Sequence, residues 1–476
     1  MGKAYFKRII FFVFLIAAGI FLSYRLTVVP PGLTVDEAAF GYNAVLLSRT
    51  GKDENGRTLP IFVNSIGGKD WRQPVTQYFI TLFFKFFLPS TLTLRLTSIV
   101  VALICLALLY YLSQRLLGGA WSFVVMSLFL ATPIVFIQSH MALDNIMPVP
   151  FVIFWLMYLY LYEKKKSKYY LLLAGVALGV AFYSYKAMRL IVPVYFMLTI
   201  WYFWRLKIKN FVGTVFWFSL GLAPFMLAIP FLRSSYPGAV FGGYNKYVPN
   251  WNEFLYPYLS SFDPTFLFIK GDATVYHSTG IHGMFLAATL PIFVIGCYQA
   301  VKKGGIWWLI VLAFFATPVF FGLANSVHRA SRLMAMVPMY VLVSSLGLTS
   351  IKNKVFFLAI SIFLVVNFYD FVNYYWFTYP KFVKGDFSQT REESYKILSD
   401  QAESRGLKSF IDYDLYQGDG EVANFFSAAF FEQKPTLLRS EEKLPGGSIL
   451  LSYRENIPGL ARLDTKLPNY YLHALK

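Results

Sequence analysis

Apolar runs close to or above the length of a bilayer crossing recur from the first residues to about residue 371, more than any soluble core accommodates. In helical geometry about 18 to 20 such residues span about 30 Å of hydrocarbon. On that basis the chain carries spans at about 9–27, 92–111, 120–137, 149–162, 169–183, 191–204, 211–231, 281–300, 306–322, 333–350 and 355–371, about eleven transmembrane helices. Composition agrees, with 57% of the 476 residues apolar, 19% aromatic and only 14% charged. The expected fold class is an all-α polytopic membrane protein with a small C-terminal α/β domain.

The charges sort the ends of these spans. A net charge of +18 could point to nucleic acid, but the cations sit in short clusters beside apolar runs: Lys3/Lys7/Arg8, Arg115, Lys164/Lys165/Lys166/Lys168, Arg205/Lys207/Lys209, Lys302/Lys303 and Lys352/Lys354. They read as topology determinants, and no nucleic-acid partner is expected. The first run resembles a signal peptide without an Ala-x-Ala-like site, and reads as an uncleaved span. Cys105 and Cys297 both fall inside spans, which excludes a disulfide framework and a thiolate metal site.

One segment decides the topology. Val75 to Leu88 is apolar but short, interrupted by Lys85 and stopped by Pro89. If it does not cross, all the basic clusters fall on one side, the cytoplasmic one with the N-terminus. It is therefore expected to be an interfacial helix, about 75–88. Loops 28–74, 138–148, 184–190, 232–280 and 323–332 then face outward, as does the tail. The domains are thus a membrane module over 1–371 and an extracytoplasmic α/β domain over 380–476. Helices are expected near 390–405 and 420–431 in that tail, and strands at Ser409–Tyr413 and Ser448–Ser452; it shows no catalytic motif.

The outward loops hold the chemistry. Asp36 and Glu37 stand side by side just after the first span, where Thr34 or Asp36 also suits the cap of a helix starting near Ala38. The stretch Gly51 to Pro60 reads as a tight turn with solvated charges. Lys69 and Arg72, just before the interfacial helix, suit an anionic head group. Asp144 either caps the next span or joins Asp36 as an acid/base or metal partner. Tyr183, Lys186 and Arg189 gather at an outer span end, with the two cations at i, i+3 suited to a phosphate. His277 and His282 are five apart, poor zinc spacing, and read as hydrogen-bonding groups for substrate. His328, Arg329 and Arg332 again oppose the charge rule and favour an anion.

These residues resemble the GT-C glycosyltransferases that use polyprenyl-phosphate sugars, most closely bacterial members of the protein O-mannosyltransferase and aminoarabinose transferase group, glycosyltransferase family 39 and its relatives. The resemblance covers roughly 1–371 and rests on Asp36-Glu37, the Gly-x-Asp-Glu-x-Gly stretch at Gly51 to Gly56, the interfacial helix and Asp144. It implies that Asp36 is the catalytic base, that Glu37 supports it or orients the acceptor, and that Asp144 is the second-loop acid. It also implies that Lys186, Arg189, His328 and Arg329 contact the donor phosphate. The tail departs from the family's eukaryotic members, which puts a protein acceptor in doubt.

The chemistry fits the inventory. A lipid phosphate leaves readily if cations surround it, and the acceptor hydroxyl needs one carboxylate to take its proton. One base on the face away from the phosphate implies inversion. The expectation is transfer of a hexosyl or pentosyl unit from a polyprenyl-phosphate donor to a hydroxyl on lipid, glycan or protein, at the outer face of a bacterial cell membrane. No cofactor is required; a divalent ion is optional, with Asp36 and Asp144 as its ligands. The rival readings are a secondary transporter or flippase, which no inverted repeat supports, and a polysaccharide polymerase or ligase leaning on outward arginines and histidines.

Overall fold

Close backbone contact through glycine organises two pairs of apolar helices. Gly175 on Lys168–Ser184 lies against the Phe218 carbonyl, and Gly221 on Phe211–Leu227 lies against that of Leu172, so neither site has room for a Cβ. Gly296 and Gly347 make the same fit between Leu290–Lys303 and Val337–Thr349. Small residues that let backbones touch are how helices associate where lipid removes the hydrophobic drive. This architecture belongs to a computed structural model that describes every residue except 1, 243–249, 325, 327, 328, 464–466, 468, 469 and 476.

The chain divides into two compact units, one of residues 1–24, 73–75 and 98–379, the other of 25–72, 76–97 and 380–476. In the first unit Ala330–Thr349 is almost wholly enclosed, while Tyr5–Ser23 and Lys354–Phe377 leave most of their apolar surface uncovered, as lipid-facing helices do. Pairs of buried polar groups lie within it: the Trp155 indole N–H donates to the Thr199 hydroxyl at 3.0 Å, and the Tyr195 and Thr317 hydroxyls bond at 2.6 Å.

The chain is a multi-pass membrane protein; of the eleven expected crossings, six are helices long and apolar enough to cross by themselves among the described residues, or seven if one bent pair is a single span. The six are Tyr5–Ser23, Thr91–Leu116, Phe211–Ser235, Ile306–Ala324, Ala330–Thr349 and Lys354–Phe377. The expected span at 120–137 is the bent pair, Trp121–Leu130 and Pro133–Ser139, turned by 64° at Pro133, which has no amide hydrogen to continue the first helix. At 149–162, 169–183, 191–204 and 281–300 the structure has helices of 17, 17, 18 and 14 residues. Pro193 lies inside the third, and the fourth starts only at Leu290.

The second unit joins the first loop, residues 25–72, to the C-terminal domain. Its first-loop helix, Val35–Thr50, ends where Gly51 takes the left-handed conformation (φ 70°) and returns its N–H to the Leu47 carbonyl. Strands β1 (Val63–Ser65) and β2 (Asp70–Arg72) form a hairpin. Where the interfacial helix is expected, the helix Pro74–Phe86 buries Thr76, Gln77 and Thr81 and leaves Leu82 and Phe86 exposed, along with Phe87 and Leu88 just beyond it. Ile80 and Phe84 are buried on the same face, and Lys85 is exposed with the apolar side chains.

The C-terminal domain has helices Glu392–Arg405 and Tyr413–Phe430 and five strands: β3 (Lys408–Asp412), β4 (Thr436–Leu438), β5 (Ser448–Ser452), β6 (Ala461–Leu463) and β7 (Tyr471–Leu475). Their order is β4-β3-β5-β7-β6, with β3 parallel to β4 and β5, and β7 antiparallel to β5 and β6. Both helices and both strands expected in the tail are present. Asp412, at the end of β3, caps the domain helix Tyr413–Phe430 through the Asp414 N–H and accepts from Ser452 and Arg454.

The domain helix packs on the first-loop helix. The Arg49 guanidinium donates to the Ala428 and Ala429 carbonyls at 2.5 and 3.0 Å, satisfying acceptors that a helix end leaves open. Gly41 meets the Phe425 ring, where a Cβ would sit 2.8 Å from two ring carbons. Gly41→Val is expected to lower stability by about 1 to 3 kcal/mol through overpacking. The check is the thermal unfolding midpoint in detergent, and an unchanged midpoint would dissolve this contact.

Candidate active site

Thr34 starts the site. Its hydroxyl accepts from the Glu37 N–H at 3.1 Å while the Glu37 carboxylate accepts from the Thr34 N–H at 3.0 Å, a capping box that begins the helix at Val35. The two adjacent acids then part ways by helical geometry. Glu37 turns inward, fully enclosed, and takes the Arg95 Nε at 3.0 Å. Arg95, also fully enclosed, donates to the carbonyls of Leu26, Pro30 and Gly32 as well, closing the turn before the helix. Asp36 faces outward with 56% of its side chain exposed, and its Oδ1 accepts from Arg72 Nη1 at 2.8 Å.

Arg72 is held as firmly as its partner is open. It is 3% exposed, its Nε donates to Ser65 Oγ at 2.7 Å, Asp70 lies at 3.5 Å, and its guanidinium stands 4.9 Å from the Phe40 ring centre. The expected free cation for an anionic head group is therefore committed to the hairpin and to Asp36, and Lys69, exposed at the hairpin tip, is the solvated one of the pair.

The Gly51–Pro60 turn is not simply solvated. Asp53 is 4% exposed, and its Oδ1 accepts from the Asn55 and Arg57 N–H groups, which shapes the turn. Glu54 returns to the first-loop helix, where enclosed Asn43 accepts from its N–H at 3.0 Å and donates to its Oε1 at 3.3 Å. Burial, opposed by that hydrogen bond, pushes the Glu54 carboxyl up to about 7, and the charges of Glu421 and Asp53 push the same way while Arg72 opposes them.

A carboxyl that holds its proton more tightly folded than unfolded costs stability as the pH rises from 4.5 to about 7, and the full cost is present above that range. Glu54→Gln is therefore expected to stabilise the protein at pH 8 by about 1 kcal/mol, after discounting for solvent screening of this half-exposed group. It should change little at pH 4.5. Equal shifts in unfolding midpoint at both values would show that the charge is not the cause.

In the first unit the structure gathers another part of the expected set. The Gln138 amide bonds His277 Nδ1 at 3.0 Å and accepts from the Asn145 amide at 2.8 Å. Burial lowers the His277 pKa to about 4, with Asp272 opposing the shift and Arg329 and Arg332 adding to it, so the ring is neutral at ordinary pH. Asp272 also accepts from the Ala330 N–H at 2.6 Å, which ties the two loops together.

Other expected residues are placed separately. His282 bonds Asp370 at 3.0 Å and Thr279 at 2.8 Å. Arg189 is buried on the Val240 carbonyl and the Gln73 amide oxygen. The Tyr183 hydroxyl donates to the Phe225 carbonyl at 2.7 Å, Lys186 is half-buried just before Met188–Arg205, and half-buried Asp144 lies in the turn after Pro133–Ser139. Arg332 donates to the Ser326 hydroxyl at 3.2 Å, and Arg329 is exposed. His328 lies outside the described residues. Among the described residues no three His, Cys, Asp or Glu side chains come together as a metal site.

Sequence reasoning did not find Arg95, Glu54 or Gln73. Arg95 carried the plainest signal, a single cation in an apolar run.

Comparison with known proteins bears on the fold. The family described as dolichyl-phosphate-mannose-protein mannosyltransferase matches residues 72–232. No curated protein matches. Among solved structures, the chain is similar to ArnT from Cupriavidus metallidurans bound to undecaprenyl phosphate, at TM-score 0.58 and 11% identity over 97% of each chain. The apo form of that protein gives 0.55 and 12% over 90% of this chain and 85% of that one. The Archaeoglobus fulgidus oligosaccharyltransferase complex with zinc and sulfate gives 0.51 and 11% over 86% of this chain and 61% of that one. The resemblance seen in the sequence is borne out at the level of architecture: the chain has the fold of the GT-C membrane glycosyltransferases of the protein mannosyltransferase and ArnT group.

Proposed function

We propose that this protein transfers a monosaccharide from a polyprenyl-phosphate donor to an acceptor hydroxyl at the outer face of a bacterial cell membrane, with inversion and with Asp36 as general base. The observation that carries the reading is Asp36 itself, an exposed carboxylate at the start of a capped helix, oriented by a buried arginine through one oxygen. The other oxygen is left for a substrate proton.

In the proposed step the acceptor O–H proton passes to Asp36 while the acceptor oxygen bonds the anomeric carbon. The bond from that carbon to the phosphate oxygen breaks, and polyprenyl phosphate leaves with the electron pair. Positive charge for the leaving group comes from Arg329 and Arg332 beside neutral His277, with Lys186 and Lys69 as further candidates. Undecaprenyl phosphate bound to the similar ArnT protein supports a polyprenyl donor. In this reading Glu37 positions the helix that presents Asp36, Arg189 positions the loop near residue 240, and Asp144 remains a candidate second acid. The step is complete without a metal ion, though Asp36 and Asp144 are the carboxylates that one would seek.

The test is incubation of purified protein with a panel of radiolabelled polyprenyl-phosphate monosaccharides. Release of polyprenyl phosphate coupled to acceptor labelling supports the proposal and identifies the donor. No release from any donor, with solute flux in proteoliposomes, would replace it with transport.

A further inference from the structure

The domain helix Tyr413–Phe430 is broken. Asp419, between Gly418 and Gly420, leaves helical geometry at φ −142° and ψ 42°, and its carboxylate is fixed by the Thr390 N–H and hydroxyl at 3.3 and 3.0 Å. The break is followed directly by Glu421, whose Oε2 is buried and has no hydrogen-bond partner. A carboxylate oxygen in that state lacks a donor that a ligand or water supplies.

Around it stand groups of matching kind. The Lys434 ammonium donates to the Asn424 amide oxygen at 2.6 Å and lies 5.7 Å from the Tyr416 ring centre, and the Tyr416 hydroxyl reaches the same oxygen at 3.3 Å. From the first-loop side come Tyr42, Glu54 and Asp53, whose enclosed Oδ2 also has no partner. Charge interactions tie the two sides together: Glu54 and Glu421 repel each other, Lys434 attracts both, and both feel Arg72, the residue that holds Asp36.

We propose that Glu54, Glu421 and Lys434, with Tyr42 and Tyr416, form the acceptor subsite beside Asp36, and that it takes a saccharide. The proposal rests on the glycosyl-transfer reading for the word acceptor, while the saccharide site itself rests on the cluster. Carboxylates accept from sugar hydroxyls in charge-assisted bonds, an ammonium donates to the same hydroxyls, and tyrosine rings cover the C–H face. Neighbouring hydroxyls on one ring use such a mixed set together; a lone serine or threonine on a peptide uses one member. Glu421 thereby makes the C-terminal domain a determinant of specificity.

The experiment uses full-length protein in detergent and two probes, a panel of hexose and N-acetylhexosamine tetrasaccharides and a serine/threonine peptide of similar size. Binding is read by ligand-observed NMR, and transfer is read in parallel with a competent donor. Wild type is expected to bind a tetrasaccharide and not the peptide. Glu421→Gln and Lys434→Met each weaken that binding at least tenfold, the loss of about one charge-assisted hydrogen bond. The acceptor KM rises by a similar factor while the donor KM stays within twofold. Unfolding midpoints close to wild type show that the variants are folded, and Tyr416→Phe serves as the milder second test.

Glu421-dependent saccharide binding without turnover of any donor would keep the subsite and end the transfer reading. Peptide binding in place of saccharide, unchanged affinity in both variants, or a shift confined to the donor KM would overturn the subsite.

Discussion

The Asp36→Asn protein is expected to turn over about a thousandfold more slowly than wild type, the middle of the range that general base catalysis contributes. Asparagine keeps the shape and an amide oxygen able to accept from Arg72 at the position where Asp36 Oδ1 now sits 2.8 Å from the guanidinium. The helix start also survives, because its capping box uses Thr34 and Glu37 and not Asp36. What disappears is the basic oxygen. Donor affinity should therefore stay within a few-fold, with the loss confined to kcat. Single-turnover kinetics with labelled donor separate the two. A variant within tenfold of wild type would move the base elsewhere, to Asp144 or Glu54, and a product of retained configuration would require a nucleophile instead.

Arg95→Ala is expected to be the most damaging change to the fold. It leaves the enclosed Glu37 carboxylate without its cation and the carbonyls of Leu26, Pro30 and Gly32 without their donor. Removing one member of a buried pair costs about 3 to 5 kcal/mol, because the other charge is stranded out of water. The protein should accumulate poorly and lose its cooperative unfolding transition in detergent. Glu37→Gln in the same chain should recover part of that loss, since the stranded charge is then gone. Additive losses in the double variant would mean that the pair does not act as a unit.

Much of the framework was legible in the sequence because it depends on length and periodicity. Six apolar helices, the helix after Gln73 and the alternation of helix and strand in the tail all follow from such patterns. The bounds of the shorter helices are less legible, because apolar composition alone does not fix where a helix starts or bends. Leu290 and Pro133 show this. At the site, Asp36 and Glu37 were found together, but their division of labour was not. Two consecutive helical positions point about 100° apart, and only the packing of Arg95 and Arg72 decides which one faces inward. Glu54 reads as a solvated loop charge in the sequence because its environment comes from Asn43, eleven residues back, and from Glu421, far along the chain. No local window contains such a neighbourhood.

On the proposed function, the helix Pro74–Phe86 bears on the height at which the chemistry occurs. Its Gln77 amide donates to the Phe40 carbonyl, one turn along the first-loop helix from Asp36, while Leu82, Phe86, Phe87 and Leu88 stay uncovered. If the proposed interfacial placement holds, those four side chains set one level, where acyl chains meet head groups, and the hydrogen bond carries that level to the carboxylate, so that the helix acts as a depth gauge. In the proposed reaction, a donor whose sugar rides higher or lower, because its membrane is thicker or its phosphate linker is longer, then presents its anomeric carbon at the wrong height even when every contact to the sugar is right.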